Sequence, residues 1–237
     1  MLPFGAVTNT VPSLFWFFAF VMSRPALVAR LRAEVAGQVT RSADGATATV
    51  SLAQLEERCP LLTGAYRETL RLTNHQISTR TVLEDTVLTD SAGRGYLLKK
   101  DTVVQMSLAA GQRDEGYWGA DVDDFRPERF LRFGDRKDEA AGPGSPRAIR
   151  AAFQPFGGGV HLCPGRSFAH SEMMAVMATL VLGYDVSPLS GTEWRLPSFA
   201  MLSLVDAVNK PAGEGDGFGV KVKRRKEWEG VQWTYTQ

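Results

Sequence analysis

The sequence predicts a mainly α chain with small β-sheets, an α+β fold, and three observations carry that expectation. Residues 4–22 are apolar nearly all round, the pattern of a helix buried on most sides. Met173, Met177, Leu180 and Val181 recur at three- and four-residue steps behind a glycine-rich loop, the spacing of a helix with one apolar face. Between and after these helices lie short stretches, such as Ile77–Leu83 and Val220–Lys223, that read as strands.

Taken in order, the helix of 4–22 contains Pro12, which removes one N–H from the ladder and favours a kink. Its most apolar run, Val11–Met22, meets Arg24; a bilayer span needs about 20 apolar residues, so this reads as a buried helix and no membrane span is expected. Pro25 suits the first turn of a second helix, whose apolar face is Leu27, Val28, Leu31 and Val35. Gly37–Ala48 reads as a polar loop. Ser51-Leu52-Ala53-Gln54 is a capping-box signature opening a short helix.

Pro60 begins a helix over 60–72, where Glu68 and Arg71 share a face at three-residue spacing. A β region follows at 76–105, with a hairpin at Thr86–Leu98 around Ser91–Gly95 and a loose turn after Lys99. Residues 125–150 form a connecting segment, and Leu131–Arg150, rich in Gly, Pro and charge, reads as a loop. The cysteine loop and its helix take 153–184, and strands and loops take 186–237. Within that tail, Lys210–Gly219 reads as a flexible connector and Lys223–Lys226 as a solvated strand end.

The composition suits a globular chain with one sizeable core: 237 residues, 44% apolar and 22% charged. A net charge of +1 gives no reason to expect nucleic acid as a partner. Two cysteines make a disulfide framework unexpected, and Met-Leu-Pro-Phe-Gly has no basic signal-peptide start. No internal repeat is visible.

The chemistry concentrates in Phe153–Ala169, which sets Cys163 among Gly157, Gly158, Gly159 and Gly165 just before a helix. Glycines let the backbone turn sharply and approach a flat ligand. A helix N-terminus stabilises a thiolate, and a ferric iron would deprotonate the thiol outright. No Lys-Ser/Thr pair follows, as a P-loop requires, and Cys163, His161 and His170 are too few for a closed zinc site. A buried cysteine acting as core filler stays open on these residues alone.

Phe156-x-x-Gly159-x-His161-x-Cys163-x-Gly165 resembles the haem-binding loop of the cytochrome P-450 superfamily, with every fixed position filled. The resemblance implies Cys163 as the thiolate ligand of haem b (iron protoporphyrin IX). It implies Phe156, Gly159, His161 and Gly165 as its surroundings, and Arg80, nine residues beyond Arg71, as a propionate partner together with His161. Glu68-x-x-Arg71 stands about 90 residues before the cysteine, and Phe125-Arg126-Pro127-Glu128-Arg129-Phe130 resembles the family's Pro-Glu-Arg-Phe meander. Glu68, Arg71 and Arg129 are then expected to form a buried structural triad. Ala6-x-x-Asn9-Thr10 resembles the central (I) helix over the oxygen-binding face, with Thr10 at the oxygen and Asn9 where an acid is usual. An amide orients water but cannot donate and retake a proton as a carboxylate does.

The fold implied is the C-terminal half of this superfamily, from the central helix to the end, in one partial domain over 1–237. The activity implied is monooxygenation of a small apolar substrate, lipid- or sterol-like, with electrons from NADPH via a reductase. Asn9-Thr10-Val11-Pro12 resembles the branch of sterol hydroxylases and prostacyclin-type isomerases, so isomerisation of an oxygenated lipid is an alternative. A non-catalytic haem-binding or interaction module is another. His75–Thr79 and Pro197–Ser203 are expected to face substrate. Without the family's N-terminal half and its membrane anchor, the apolar faces of Leu14–Met22 are expected to lie exposed. Localisation stays open.

Overall fold

The computed structural model describes residues 6–90, 92–131, 143–189, 191, 193–200, 207–212 and 218–237. The chain enters through a π-helical turn, Ala6–Thr10, which runs into α1 (Val11–Met22). Pro12 has no N–H to give four residues back, so the expected distortion takes the form of a widened turn ahead of it. Residues 4 and 5 lie outside the described residues. At Ser23–Arg24 the chain turns by 105° into α2 (Pro25–Ala36). Arg24 is extended, as the residue before a proline must be, and its guanidinium caps α1 at the Phe20 carbonyl (2.7 Å).

Trp16, Phe17, Val21 and Met22 are buried, and Leu14, Phe15 and Phe18 pack partly buried against the same core. The expectation that Leu14–Met22 would lie exposed is therefore wrong. The helix finds its cover within this chain, in α2 and in two later helices, and Trp16 Nε1 donates to the Asn209 carbonyl at 2.7 Å. No single helix among the described residues is long and apolar enough to cross a membrane.

A second correction concerns Gly37–Ala48. This stretch holds β1 (Val39–Arg41) and the start of β2 (Thr47–Ser51), paired antiparallel. Ser51 caps α3 (Leu52–Arg58) by accepting from Gln54 N–H. Next comes α4 (Pro60–Thr73), the most buried helix, whose N-terminal amides at Leu61 and Leu62 both donate to the Glu34 carboxylate of α2 at 2.9 Å.

Beyond α4, β3 (Ile77–Thr81) pairs with β6 (Val103–Ser107), and β4 (Thr86–Thr89) with β5 (Gly95–Leu98), both antiparallel. Ser91, within the hairpin turn, lies outside the described residues. Between β5 and β6, Asp101 sits at φ 66° while its N–H donates to Val82. A left-handed conformation costs a residue bearing a Cβ, so Asp101→Gly is expected to stabilise the chain by about 0.5–1 kcal/mol, read as a higher melting temperature.

Short helices α5 (Leu108–Gln112) and α6 (Glu115–Trp118) lead to a 3₁₀ turn, Pro127–Phe130. Residues 132–142 of the expected loop lie outside the described residues. Its later part is not a loop: α7 (Pro146–Ala152) starts there on a Ser145 cap and Pro146. The cysteine loop follows, then α8 (Arg166–Gly183), β7 (Tyr184–Pro188), β8 (Val220–Arg224) and β9 (Gln232–Thr236). β7 and β8 pair antiparallel, while β9 runs parallel to β2 and completes a three-stranded sheet ordered β1-β2-β9. Residues 201–206 and 213–217 lie outside the described residues, and with them Met201–Ser203 of the expected substrate-facing turn and the middle of the Lys210–Gly219 connector.

The 3₁₀ turn packs closely on α4, and Gly64 makes this possible. A Cβ there would fall 2.5 Å from the Pro127 carbonyl oxygen. Gly64→Ala is expected to cost about 1–3 kcal/mol by prising the two apart, measured by urea denaturation.

Candidate functional site

The cysteine loop is shaped by left-handed glycines, Gly157 at φ 72° and Gly159 at φ 62°. It closes where Cys163 N–H donates to the Phe156 carbonyl at 3.0 Å. Phe156 anchors the loop by packing against the core, and Gly159–His161 forms one 3₁₀ turn. Gly165 caps α8, and a Cβ on it would stand 3.9 Å from the Cys163 sulfur. Met173, Met177 and Val181 bury the far side of α8, and Leu180 packs partly buried beside them. Cys163 is thus a free, half-buried thiol ahead of an 18-residue helix.

The two cysteines differ in kind. Cys59 is fully buried between α3 and α4, its thiol pushed up to about 12 by burial and then by the nearby Glu34 carboxylate. It stays a protonated core residue.

Two side chains from the end of α4 and from β3 hold the loop. Asn74 Nδ2 donates to the Pro155 carbonyl at 2.7 Å. Arg80 reaches the Gly158 carbonyl at 3.3 Å while also donating to Ser78 Oγ at 2.9 Å. The Asn74 carbonyl in turn receives Gln112 Nε2.

Below the loop, Glu68, Arg71 and Arg129 meet in a buried network. Arg71 grips Glu68 with two parallel bonds, Nε to Oε2 at 2.7 Å and Nη2 to Oε1 at 2.9 Å. Both side chains are 0% exposed. Arg71 Nη1 also donates to the Gln112 carbonyl, and its guanidinium lies 4.9 Å from the Trp118 ring. Arg129 adds a bond to Glu68 Oε1 at 3.2 Å, and it also pairs with Asp121 and donates to the Trp118 carbonyl. Arg126 N–H gives Glu68 a fourth donor.

Thr10 and Asn9 stand at the end of the π-turn, beside α8. Both are partly exposed, and the Thr10 hydroxyl makes no cap bond to α1. The Asn9 carbonyl accepts from Ser13 Oγ at 2.8 Å. His161 is exposed. No side-chain hydrogen bond among the described residues joins Thr10, Asn9 or His161 to Cys163 or Arg80.

Several contributors have no motif to mark them. Asn74 and Gln112 act through hydrogen bonds to partners distant in sequence, and Asp121 through ion pairs with Arg126 and Arg129. Tyr66 and His170 meet edge to face at 5.0 Å between α4 and α8. Burial lowers the His170 pKa, with Glu56 opposing and Arg67 adding to it, which favours the neutral imidazole. Both ring nitrogens of His75 are buried without a hydrogen-bond partner.

Comparison with known proteins agrees with this geometry. A profile of the cytochrome P-450 family matches residues 1–210. A protein of Gibberella zeae named cytochrome P-450 monooxygenase is 42% identical over 231 residues, 96% of this chain and 43% of its own length. The cytochrome P-450 monooxygenase nodJ of Hypoxylon pulicicidum is 34% identical over 235 residues, 98% of this chain and 44% of that protein. The chain therefore spans less than half the length of these relatives. Matched by the family profile over most of its residues and by such relatives nearly end to end, this chain belongs to the cytochrome P-450 family.

Proposed function

We propose that this chain carries the thiolate side of a haem monooxygenase, with Cys163 as the axial ligand of haem b. One observation carries the reading: a free, half-buried thiol stands ahead of α8 in a loop that Asn74 ties to the end of α4 and Arg80 to β3. The residues suit the group. A Cβ on Gly159 would meet nothing within 4 Å, which leaves room beside the loop. Among the described residues no group of three or more His, Cys, Asp and Glu offers a multi-donor metal site instead.

When bound, the haem supplies oxygen activation and insertion of one oxygen atom into an apolar substrate, with electrons from NADPH via a reductase. The chain's own residues do the rest. The N-terminus of α8 steadies the negative charge of the Cys163 thiolate. Arg80 and His161 offer donors to carboxylates, and the guanidinium fork suits them well. Thr10 presents a hydroxyl at the end of the π-turn, where Asn9 can orient water but not relay a proton. That amide also fits chemistry without an external relay, and isomerisation of an oxygenated lipid is the alternative within enzymes. For oxygen insertion, a lipid- or sterol-like substrate is the class favoured.

The second reading is an interaction module without turnover. Leu83, in the bend between β3 and β4, is 82% exposed and Val87 and Val103 each 61%, so this β region presents apolar side chains to a partner. Haemin titration of the purified chain separates the two. The monooxygenase reading expects saturable uptake that weakens at least tenfold in Cys163→Ser. Equal uptake by both chains contradicts it, and a folded chain with no uptake favours the module.

A further inference from the structure

Asn74 caps the C-terminal end of α4, and its side chain is bonded at both ends although the residue is only 5% exposed. Nδ2 donates to the Pro155 carbonyl at 2.7 Å, and Oδ1 accepts from the Gln76 N–H at 3.1 Å. One partner can only accept and the other can only donate, so a single orientation of the carboxamide satisfies both. Pro155 and Phe156 carry successive carbonyls. The first takes the Asn74 amide, and the second takes the Cys163 N–H at 3.0 Å. The side chain therefore grips the loop one peptide away from the bond that closes it around the cysteine. The same residue reaches back to the ion-pair core. Its main-chain carbonyl accepts from Gln112 Nε2 at 3.4 Å, and the Gln112 carbonyl accepts from Arg71 Nη1 at 2.9 Å. Hydrogen bonds thus link Glu68, Arg71, Gln112, Asn74 and Pro155 in turn.

We propose that Asn74 is the positioning residue that keeps Cys163 in place as a thiolate ligand, by fixing the cysteine loop to the end of α4. The proposal rests on the ligand reading of Cys163. A metal ligand keeps its geometry only as well as the groups behind it are held. Without the Nδ2 donor, the Pro155 carbonyl loses this partner and the loop is free to draw away from α4, which loosens the Phe156–Cys163 bond beside it. Arg80 holds the loop further on, at Gly158, and through a longer bond of 3.3 Å. Neither the cysteine-loop pattern nor Glu68-x-x-Arg71 includes Asn74.

The test is Asn74→Ser, whose hydroxyl can still accept from the Gln76 N–H but is too short to reach Pro155. Two rates are compared with the parent. One is amide hydrogen exchange at Cys163 in the chain alone. The other, in the haem-loaded chain, is the conversion of a thiolate-type reduced-CO band to a non-thiolate band in dilute urea. Each is expected to rise about tenfold, the scale of one lost hydrogen bond. Asn74→Asp, of the same shape but without the donor, is expected to give the same rises and decides the matter should Asn74→Ser fail to fold. Thr73→Val is the control. Thr73 is buried at the same helix end, but its hydroxyl donates within α4, to the Thr69 carbonyl at 2.8 Å, so both rates are expected to stay within about twofold of the parent. Equal rises in Thr73→Val and Asn74→Ser would mark a general loosening of α4 and overturn the role of Asn74, as would either rate unchanged in Asn74→Ser. Absence of a thiolate band in the parent chain overturns the ligand reading and the proposal with it.

Discussion

Replacing Glu68 by alanine is expected to cost the chain about 3–5 kcal/mol, read as a large drop in the urea midpoint or as loss of cooperative unfolding. The size follows from what is left behind. Arg71 is 0% exposed and takes both carboxylate oxygens of Glu68; without them only the Gln112 and Asp124 carbonyls remain to a buried guanidinium. Arg126 N–H and Arg129 Nε lose their acceptor as well. Arg129 fares better, because Asp121 still neutralises it. An exposed ion pair such as Lys99–Asp85 contributes about 0–1 kcal/mol by comparison. A Glu68→Ala loss in that small range would show that the network is not what holds α4 to the segment before the cysteine loop.

Cys163→Ser is expected to have the largest functional effect while leaving the fold in place. The thiol is half-buried and contributes little packing, and its backbone bond to Phe156 survives the change. A serine hydroxyl is a far weaker acid than a thiol and stays neutral at pH 7, so the charge that α8 favours is lost. Urea denaturation is expected to shift by less than about 1 kcal/mol, as for substitutions outside the core. Haem uptake is expected to weaken at least tenfold, and any thiolate-type spectrum to disappear.

What could be read from the residues and what could not divides along physical lines. Helices that carry their own periodicity and caps were legible: Pro25 and Pro60 open α2 and α4, and Ser51 caps α3. The α+β class followed from the same signals. The β1–β2 hairpin was not legible, because it is completed by β9, where Thr47 pairs with Gln232 across most of the chain. Short polar strands gain their stability from such partners rather than from propensity. The helix α7 was hidden in a segment rich in glycine and charge, although Ser145-Pro146 was a start signal in plain view.

The expectation of an exposed Leu14–Met22 failed for a related reason. Apolarity shows that a helix must be covered, not which part of the chain covers it, and Trp16 reaches Asn209 for its one polar contact. In the site, the resemblance marked the residues of the cysteine loop and the ion-pair network. It did not mark Asn74, which ties α4 to that loop.

The most direct measurement is the reduced-CO difference spectrum of this chain reconstituted with haem, recorded beside Cys163→Ser. A thiolate-type Soret band in the parent that is absent from the variant is the predicted result. The same non-thiolate band in both, from chains that are folded and haem-loaded, would contradict the assignment of Cys163.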